Sequence, residues 1–332
     1  MSFSSANLEK KDAGFFEALR SRLGQFEEIG VLGALIVISL LLTIFTEHFS
    51  EMTNILQVIR QASYIAMMAV GMVFVMSGGD IDLSVGAMYN LAAITMAYAY
   101  RSGMPFELVL LIGLLTGAGC GFLNGALSVI LRIPMIIVTL GTMTIYRGLS
   151  LVLSNATTIA NFPKENWFFN IFGGNFFGQV PGSVVLMVLV GVVGFLLYNK
   201  TTFGRKVCAI GANLQAARYS GIQVNRIRLL TMTLSGVICA VAAMGLLAFL
   251  KAADPSIGSG SEMLVISSAI IGGTSLAGGA GSVIGAIIGA LIIAIIRNGL
   301  VLLGVSIYWQ GVVTGVVIIA AVTLDYIIKR RR

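Results

Sequence analysis

From Ile29 to Ile328 the chain is a succession of apolar runs, most of them about twenty residues long, separated by short polar connections. A helix rises ~1.5 Å per residue, so about twenty apolar residues cross the ~30 Å hydrocarbon layer of a bilayer. Ten runs lie at about Ile29–Phe45, Ile55–Met76, Leu83–Tyr100, Phe106–Leu131, Pro134–Leu153, Val180–Tyr198, Leu229–Leu250, Met263–Ala277, Gly281–Ile296 and Ile307–Ile328. The pattern predicts an all-α polytopic membrane protein of about ten transmembrane helices. Gly and Pro interruptions leave eight or nine spans with re-entrant pieces as the alternative. Composition excludes a soluble enzyme, because 57% of the residues are hydrophobic and only 11% charged, against ~25% charged in soluble proteins. The 40 glycines among 332 residues suit helices that approach backbone to backbone in lipid.

The formal charge of +7 is not a nucleic-acid footprint, because the basic residues flank apolar runs and no hydrophilic domain carries them. Lys200, Arg205, Lys206, Arg218, Arg226 and Arg228 share one connecting loop, 199–228, that contains no acidic residue, and the chain closes on Lys329, Arg330, Arg331 and Arg332. Basic loops stay in the cytoplasm. Four runs follow that loop and six precede it, so both termini are expected in the cytoplasm and Ser154–Gln179 outside. The expected division is a cytoplasmic head, 1–28, a transmembrane domain, 29–328, and a basic tail, 329–332. In the head, Phe15, Phe16, Leu19, Leu23 and Phe26 alternate with Lys10, Lys11, Arg20 and Arg22, the pattern of an interfacial amphipathic helix or a partner-binding segment. The first apolar run lacks a cleavage signature and is expected to remain as an anchor.

Catalytic chemistry finds little to work with. His48 is the only histidine, and Cys120, Cys208 and Cys239 match neither a disulfide framework nor a zinc site. No Gly-Lys dipeptide occurs, so the chain has no Walker A loop and does not hydrolyse ATP by that route. Asp80, Asp82, Glu107, Asp254 and Glu262 fall near run ends rather than mid-membrane, which disfavours ion-coupled transport.

Asp82-Leu-Ser84-Val-Gly86 and Asp254-Pro255-Ser256-Ile-Gly258 share D-x-S-x-G at an offset of 172 residues. The same offset carries the starts of the second to fifth runs close to those of the seventh to tenth, and Gly113 and Gly117 onto Gly285 and Gly289. Repeat halves at about 55–153 and 227–328, five crossings apart, make an inverted-topology repeat. Asp82 and Ser84 are expected to cap the third helix, and Asp254 followed by Pro255 the eighth. The alternative for these two junctions, with Asp80, is a pair of hinges at opposite mouths.

In the basic loop, Asn213 can cap a short helix, Leu214 to Ser220, and Gly221 can end it in the left-handed conformation. Two turns need a packing surface to persist. The segment is either a charge cluster that sets topology or a helix pushed into a cytosolic partner. Arg60, Arg147 and Arg297 lie near external run ends. They snorkel or pair with Glu51, Glu107 or Glu262, or else form a docking patch for an acidic protein.

Four stretches then carry a resemblance: G-G-D-I-D-L-S-V-G at Gly78–Gly86, I-P-M-I-I-V-T-L-G-T-M at Ile133–Met143, T-x-F-G-R-x-x-x-A-I-G-A-N-x-x-A-A-x-x-S-G-I from Thr201, and I-G-G-T-S-L-A-G-G-x-G-S at Ile271–Ser282. From about Ile55 to Tyr326 the chain resembles the permease subunit of ribose-type ABC sugar importers, with the head left uncovered. The resemblance implies an inner-membrane homodimer, or heterodimer with a paralogous permease. It also implies a cytosolic tandem ABC ATPase that carries ATP and Mg, and a periplasmic sugar-binding protein. This chain would bind no cofactor or metal itself. The family's coupling segment falls on Gly204–Gly221, with Gly204, Arg205, Gly211, Asn213, Leu214, Ala217, Arg218 and Gly221 as candidates. The expected cargo is a monosaccharide or similar polyol. A permease for branched-chain amino acids or nucleosides, or a stand-alone carrier or channel, is the alternative.

Overall fold

The computed structural model describes residues 27–160, 162, 166–176 and 179–330. The amphipathic stretch from Phe15 to Phe26 and the last two arginines lie outside the described residues. Twelve α-helices occur among the described ones: α1 (Glu27–Phe45), α2 (Met52–Ser77), α3 (Val85–Arg101), α4 (Phe106–Leu131), α5 (Met135–Ser154), α6 (Gly182–Phe195), α7 (Thr202–Ala212), α8 (Leu214–Tyr219), α9 (Val224–Leu250), α10 (Ser261–Ile271), α11 (Val283–Leu302) and α12 (Ile307–Arg330). A π-helical turn, Leu196–Lys200, extends α6. A small antiparallel pair, β1 (Asn175–Phe176) and β2 (Val180–Pro181), precedes it.

Six helical stretches are long and apolar enough to cross a membrane: Met52–Ser77, Phe106–Leu131, Met135–Ser154, Gly182–Lys200, Val224–Leu250 and Val283–Leu302. Two shorter apolar helices, Gly30–Phe45 and Ser261–Ile271, lie beside them. The expected eighth run is thus cut down, because Gly272 caps its helix and Gly273 turns the backbone to φ 91°. Pro134 and Pro181 stand immediately ahead of α5 and α6, where a missing N–H costs nothing and the residue before Pro is pushed out of the helical region. Large apolar side chains such as Leu115, Ile137, Leu140, Val188, Leu189 and Val192 are exposed. Contiguous exposed apolar surface of this extent belongs in lipid, and the chain is a multi-pass membrane protein.

The centre is built on α2 and α9, which pack on each other. Buried residues make up 78% of the apolar window of α2 but only 28% of that of α5, so α2 is enclosed by protein while α5 faces outward. Around this pair, α9 packs on α4 and α3, and α2 packs on α11 and α10. The starts of α2 and α9, Met52 and Val224, are 172 residues apart, as are those of α5 and α12, Met135 and Ile307. Glycines make the close approaches: added Cβ atoms at Gly117 and Gly121 would strike the carbonyls of Gly236 and Met232 on α9.

Candidate functional site

The basic loop is more ordered than its sequence suggests. Thr201 caps α7, its hydroxyl accepting from the amides of Phe203 at 3.2 Å and Gly204 at 3.4 Å. The stretch read as loop around Gly204, Arg205 and Gly211 is therefore an eleven-residue helix. Asn213 then breaks it with extended dihedrals and opens α8, its Oδ1 accepting from the Ala216 amide at 2.9 Å. Gly221, at φ 78°, ends the unit, two residues after a helix that stops at Tyr219 rather than Ser220. The surface that α8 needs is supplied by a small apolar cluster of Val207, Ile210, Ala217, Val224 and Ile227, with Leu214 against it. Arg205, Arg218 and Tyr219 face outward, Tyr219 being 89% exposed.

The last turn of α7 meets both glycine-rich runs. An added Cβ at Gly211 would strike the carbonyl of Ser77 and come within 2.6 Å of the Gly279 amide. Those two groups are themselves joined, Gly279 N donating to Ser77 O at 2.9 Å. Gly278 approaches both Gly211 and Gly79. Lower on α7, Gly204 sits on the Tyr198 carbonyl, Cys208 Sγ donates to the Tyr198 hydroxyl at 3.2 Å, and that hydroxyl shares a 2.7 Å hydrogen bond with Ser77 Oγ. With so little side chain between backbones, α7 cannot shift without displacing the end of α2 and the Gly278–Gly279 turn.

Neither D-x-S-x-G aspartate caps a helix, contrary to expectation. Asp82 Oδ1 accepts from the amide of Ser84 at 2.8 Å and its hydroxyl at 2.6 Å, and Ser84 gives α3 no side-chain cap. Asp254 Oδ1 takes the amide and hydroxyl of Ser256 in the same way. Pro255 lies in a turn, and α10 starts only at Ser261 behind Gly260. These are Asx turns, in which a short carboxylate substitutes for a turn of backbone. The two copies meet, and so do not stand at opposite mouths as expected: Cβ atoms added at Gly86 and Gly258 would each strike the other's carbonyl oxygen, and Asn90 Nδ2 donates to the Asp254 carbonyl at 2.8 Å. Asp80 forms a 3.0 Å ion pair with Arg228 of α9; burial pushes its carboxyl above the ordinary range and Arg228 draws it back.

Sequence reasoning missed the Asn124 support of the first turn, while Glu262 was among the partners it left open for Arg147. Asn124 donates to Ser84 Oγ at 2.8 Å, and the Tyr146 hydroxyl donates to Asn124 Oδ1 at 2.9 Å. Glu262 pairs with Arg147 at 2.9 Å. One available signal was the 172-residue offset itself, which carries Asn90 onto Glu262. The three arginines expected outside have different surroundings: Arg147 is tied to Glu262, Arg60 donates to Asn175 Oδ1 at 2.7 Å and lies 4.2 Å from the Phe249 ring centroid, and Arg297 is exposed. Glu51 is taken by His48. Among the described residues, no group of three or more His, Cys, Asp or Glu side chains gathers as metal ligands.

Residues 54–322 match the family described as branched-chain amino acid transport system / permease component. The chain is 39% identical to the ribose import permease protein of Bacillus subtilis (strain 168), over 91% of this chain and 94% of that one. It is 37% identical to the D-allose transport system permease protein of Escherichia coli (strain K12), over 90% and 92%. It is 34% identical to the autoinducer 2 import system permease protein of Photorhabdus luminescens, over 90% and 89%. No solved structure matches. The chain belongs to the branched-chain amino acid transport system / permease component family, to which these ribose, allose and autoinducer 2 import permeases are its similar relatives.

Proposed function

We propose that this chain is the membrane-spanning permease subunit of an ATP-driven importer that carries a monosaccharide or similar small polyol across a bacterial inner membrane. The names of its relatives support the substrate class. In this reading the chain holds no cofactor and catalyses nothing itself. ATP and Mg are bound by a cytosolic tandem ATPase, a periplasmic binding protein delivers the sugar, and two permease chains, identical or paralogous, form the pathway. The bundle has about ten spans in two inverted halves with both termini in the cytoplasm, a reading supported by the 172-residue correspondence of helix starts. Arg297, with Arg60 beside it in role, receives the binding protein outside, and the Asx turns at Asp82 and Asp254 are the points where the halves pivot.

The observation that carries the reading is the coupling segment: α8 packed on α7 and α9, with Gly211 of α7 in backbone contact with both glycine-rich runs. A partner that moves α8 moves those runs, a rigid-body bias on a two-state bundle. The Ala217 amide donates to the Asn213 carbonyl at 2.9 Å, so Ala217→Pro removes that bond and costs ~3 kcal/mol within a two-turn helix. Expected is normal membrane abundance with loss of both sugar uptake and the stimulation of ATP hydrolysis by loaded binding protein, measured in one reconstituted preparation. Normal uptake with normal stimulation reduces the segment to a topological charge cluster. Gly221→Val should act similarly through the strained φ of 78°.

A further inference from the structure

Where α4 ends and α5 begins, a cavity of about 750 Å³ opens between those helices, the Asp80 junction and α8. Arg132, Arg218 and Arg228 line it, with Asp80 as the lone carboxylate. Arg228 is already paired with Asp80 at 3.0 Å. Arg132 and Arg218 are exposed and form no ion pair among the described residues, so two guanidinium groups at the cavity's rim are open to an anionic ligand. Arg132 ends α4 in the left-handed conformation, φ 58°, which fixes where its side chain leaves the helix. Pro134 and Met135 line the same cavity at the start of α5, and no side chain caps that helix. Its first amides therefore add positive potential to that of the arginines.

We propose that this cavity binds the phosphate head of an acidic phospholipid. Guanidinium pairs and uncapped amides are phosphate chemistry. The lipid source follows from the apolar surface at the cavity: Ile136 in its lining is 43% exposed, and Ile130 and Ile137, next in sequence to lining residues, are 74% and 58% exposed, a surface suited to acyl chains. A free anion or an acidic protein segment has no use for that surface. The proposal rests on the reading of this end as cytoplasmic, where anionic lipids attract basic residues. Arg218 belongs to α8, so a bound headgroup holds the coupling helix to the membrane through Arg132 and the start of α5.

The full chain, purified in detergent, is titrated with phosphatidylglycerol, phosphatidylcholine or inorganic phosphate and read by native mass spectrometry. The expected result is retention of phosphatidylglycerol over phosphatidylcholine, weakened about fivefold by Arg132→Gln and by Arg218→Gln, kept by Arg132→Lys, and unchanged by Arg226→Gln, whose arginine is exposed but lines a different cavity. Arg132→Lys also guards against a folding defect, since it keeps the backbone strain and the charge. Equal retention of the two lipids, competition by inorganic phosphate at matched concentration, or loss of retained lipid once the cognate ATPase is bound would each overturn it. Detergent binding does not depend on sidedness. Labelling of Arg132→Cys by an impermeant reagent from outside intact cells would overturn the topology instead, leaving the binding result standing.

Discussion

The two D-x-S-x-G turns have the same sequence pattern and the same hydrogen bonds, yet their electrostatics differ. Asp82 is fully enclosed, with Oδ2 buried and without a hydrogen-bond partner. Burial pushes its carboxyl up to about 6 against the pull of the Ser84 hydrogen bonds. Asp254 is partly open, its Oδ2 accepts from the Thr158 hydroxyl at 2.6 Å, and bonds from Ser256 and Thr158 hold its carboxyl below the usual range. Four residues past each glycine, the first copy carries the neutral Asn90 and the second the acidic Glu262 with its Arg147 partner. The local pattern therefore sets turn geometry, and distant neighbours set charge.

The largest effect should come from the contact between the copies. Gly258→Ala must place a methyl against the Gly86 carbonyl at φ 86°, costing on the order of 3 kcal/mol from overpacking and left-handed strain together. Gly86→Ala meets the Gly258 carbonyl without the strain and should lose less. Both are read from melting temperature and monodisperse yield, and two unchanged proteins would mean that the turns do not touch. Next, Arg147→Gln strands the Glu262 carboxylate and should cost on the order of 2 kcal/mol, less than a fully buried pair because Arg147 is a third exposed. Adding Glu262→Asn, which copies the first turn, should recover most of it. An additive double-mutant cycle would show no coupling between the pair.

The smallest effect is one of pH. The folded pKa of Asp82 is raised, so the stability it contributes is present below the unfolded value and lost as pH rises through about 6. Asp82→Asn should flatten the change in unfolding free energy between pH 5 and pH 7 by about 1 kcal/mol. Asp254 works in the opposite direction: its folded pKa is lowered, so its contribution is lost only as pH falls below about 4. Asp254→Asn should leave the pH 5–7 window unchanged; a slope that moves with Asp254 and not with Asp82 would reverse the comparison.

The apolar runs were legible because lipid imposes their length, and each of the ten overlaps a helix. The eighth misled at both ends: Asp254-Pro255 reads as a helix start, and Gly272 and Gly273 are hidden among apolar neighbours. The Asn213 cap and the Gly221 stop were legible because both act over three or four residues. Helix α7 was not, because Gly204 and Gly211 look like loop residues until the carbonyls of Tyr198 and Ser77, which require them, are beside them. The pair Asn124 with Ser84 joins residues 40 positions apart, beyond any local pattern, whereas Arg147 with Glu262 was one of three pairings left open by charge and position at the run ends.

The packing of α2 on α9 also bears on the order of synthesis. The starts of the two helices are 172 residues apart, which at ~5–20 residues per second takes roughly ten to thirty seconds to make. During that interval α2, with Ser63, Met67, Met68, Met72 and Ser77 destined for burial, has no α9 to cover it. A helix that ends up enclosed is thus among the first to leave the ribosome and among the last to be finished, and a chain halted before Val224 would present that unfinished face to the membrane-insertion machinery and its proteases.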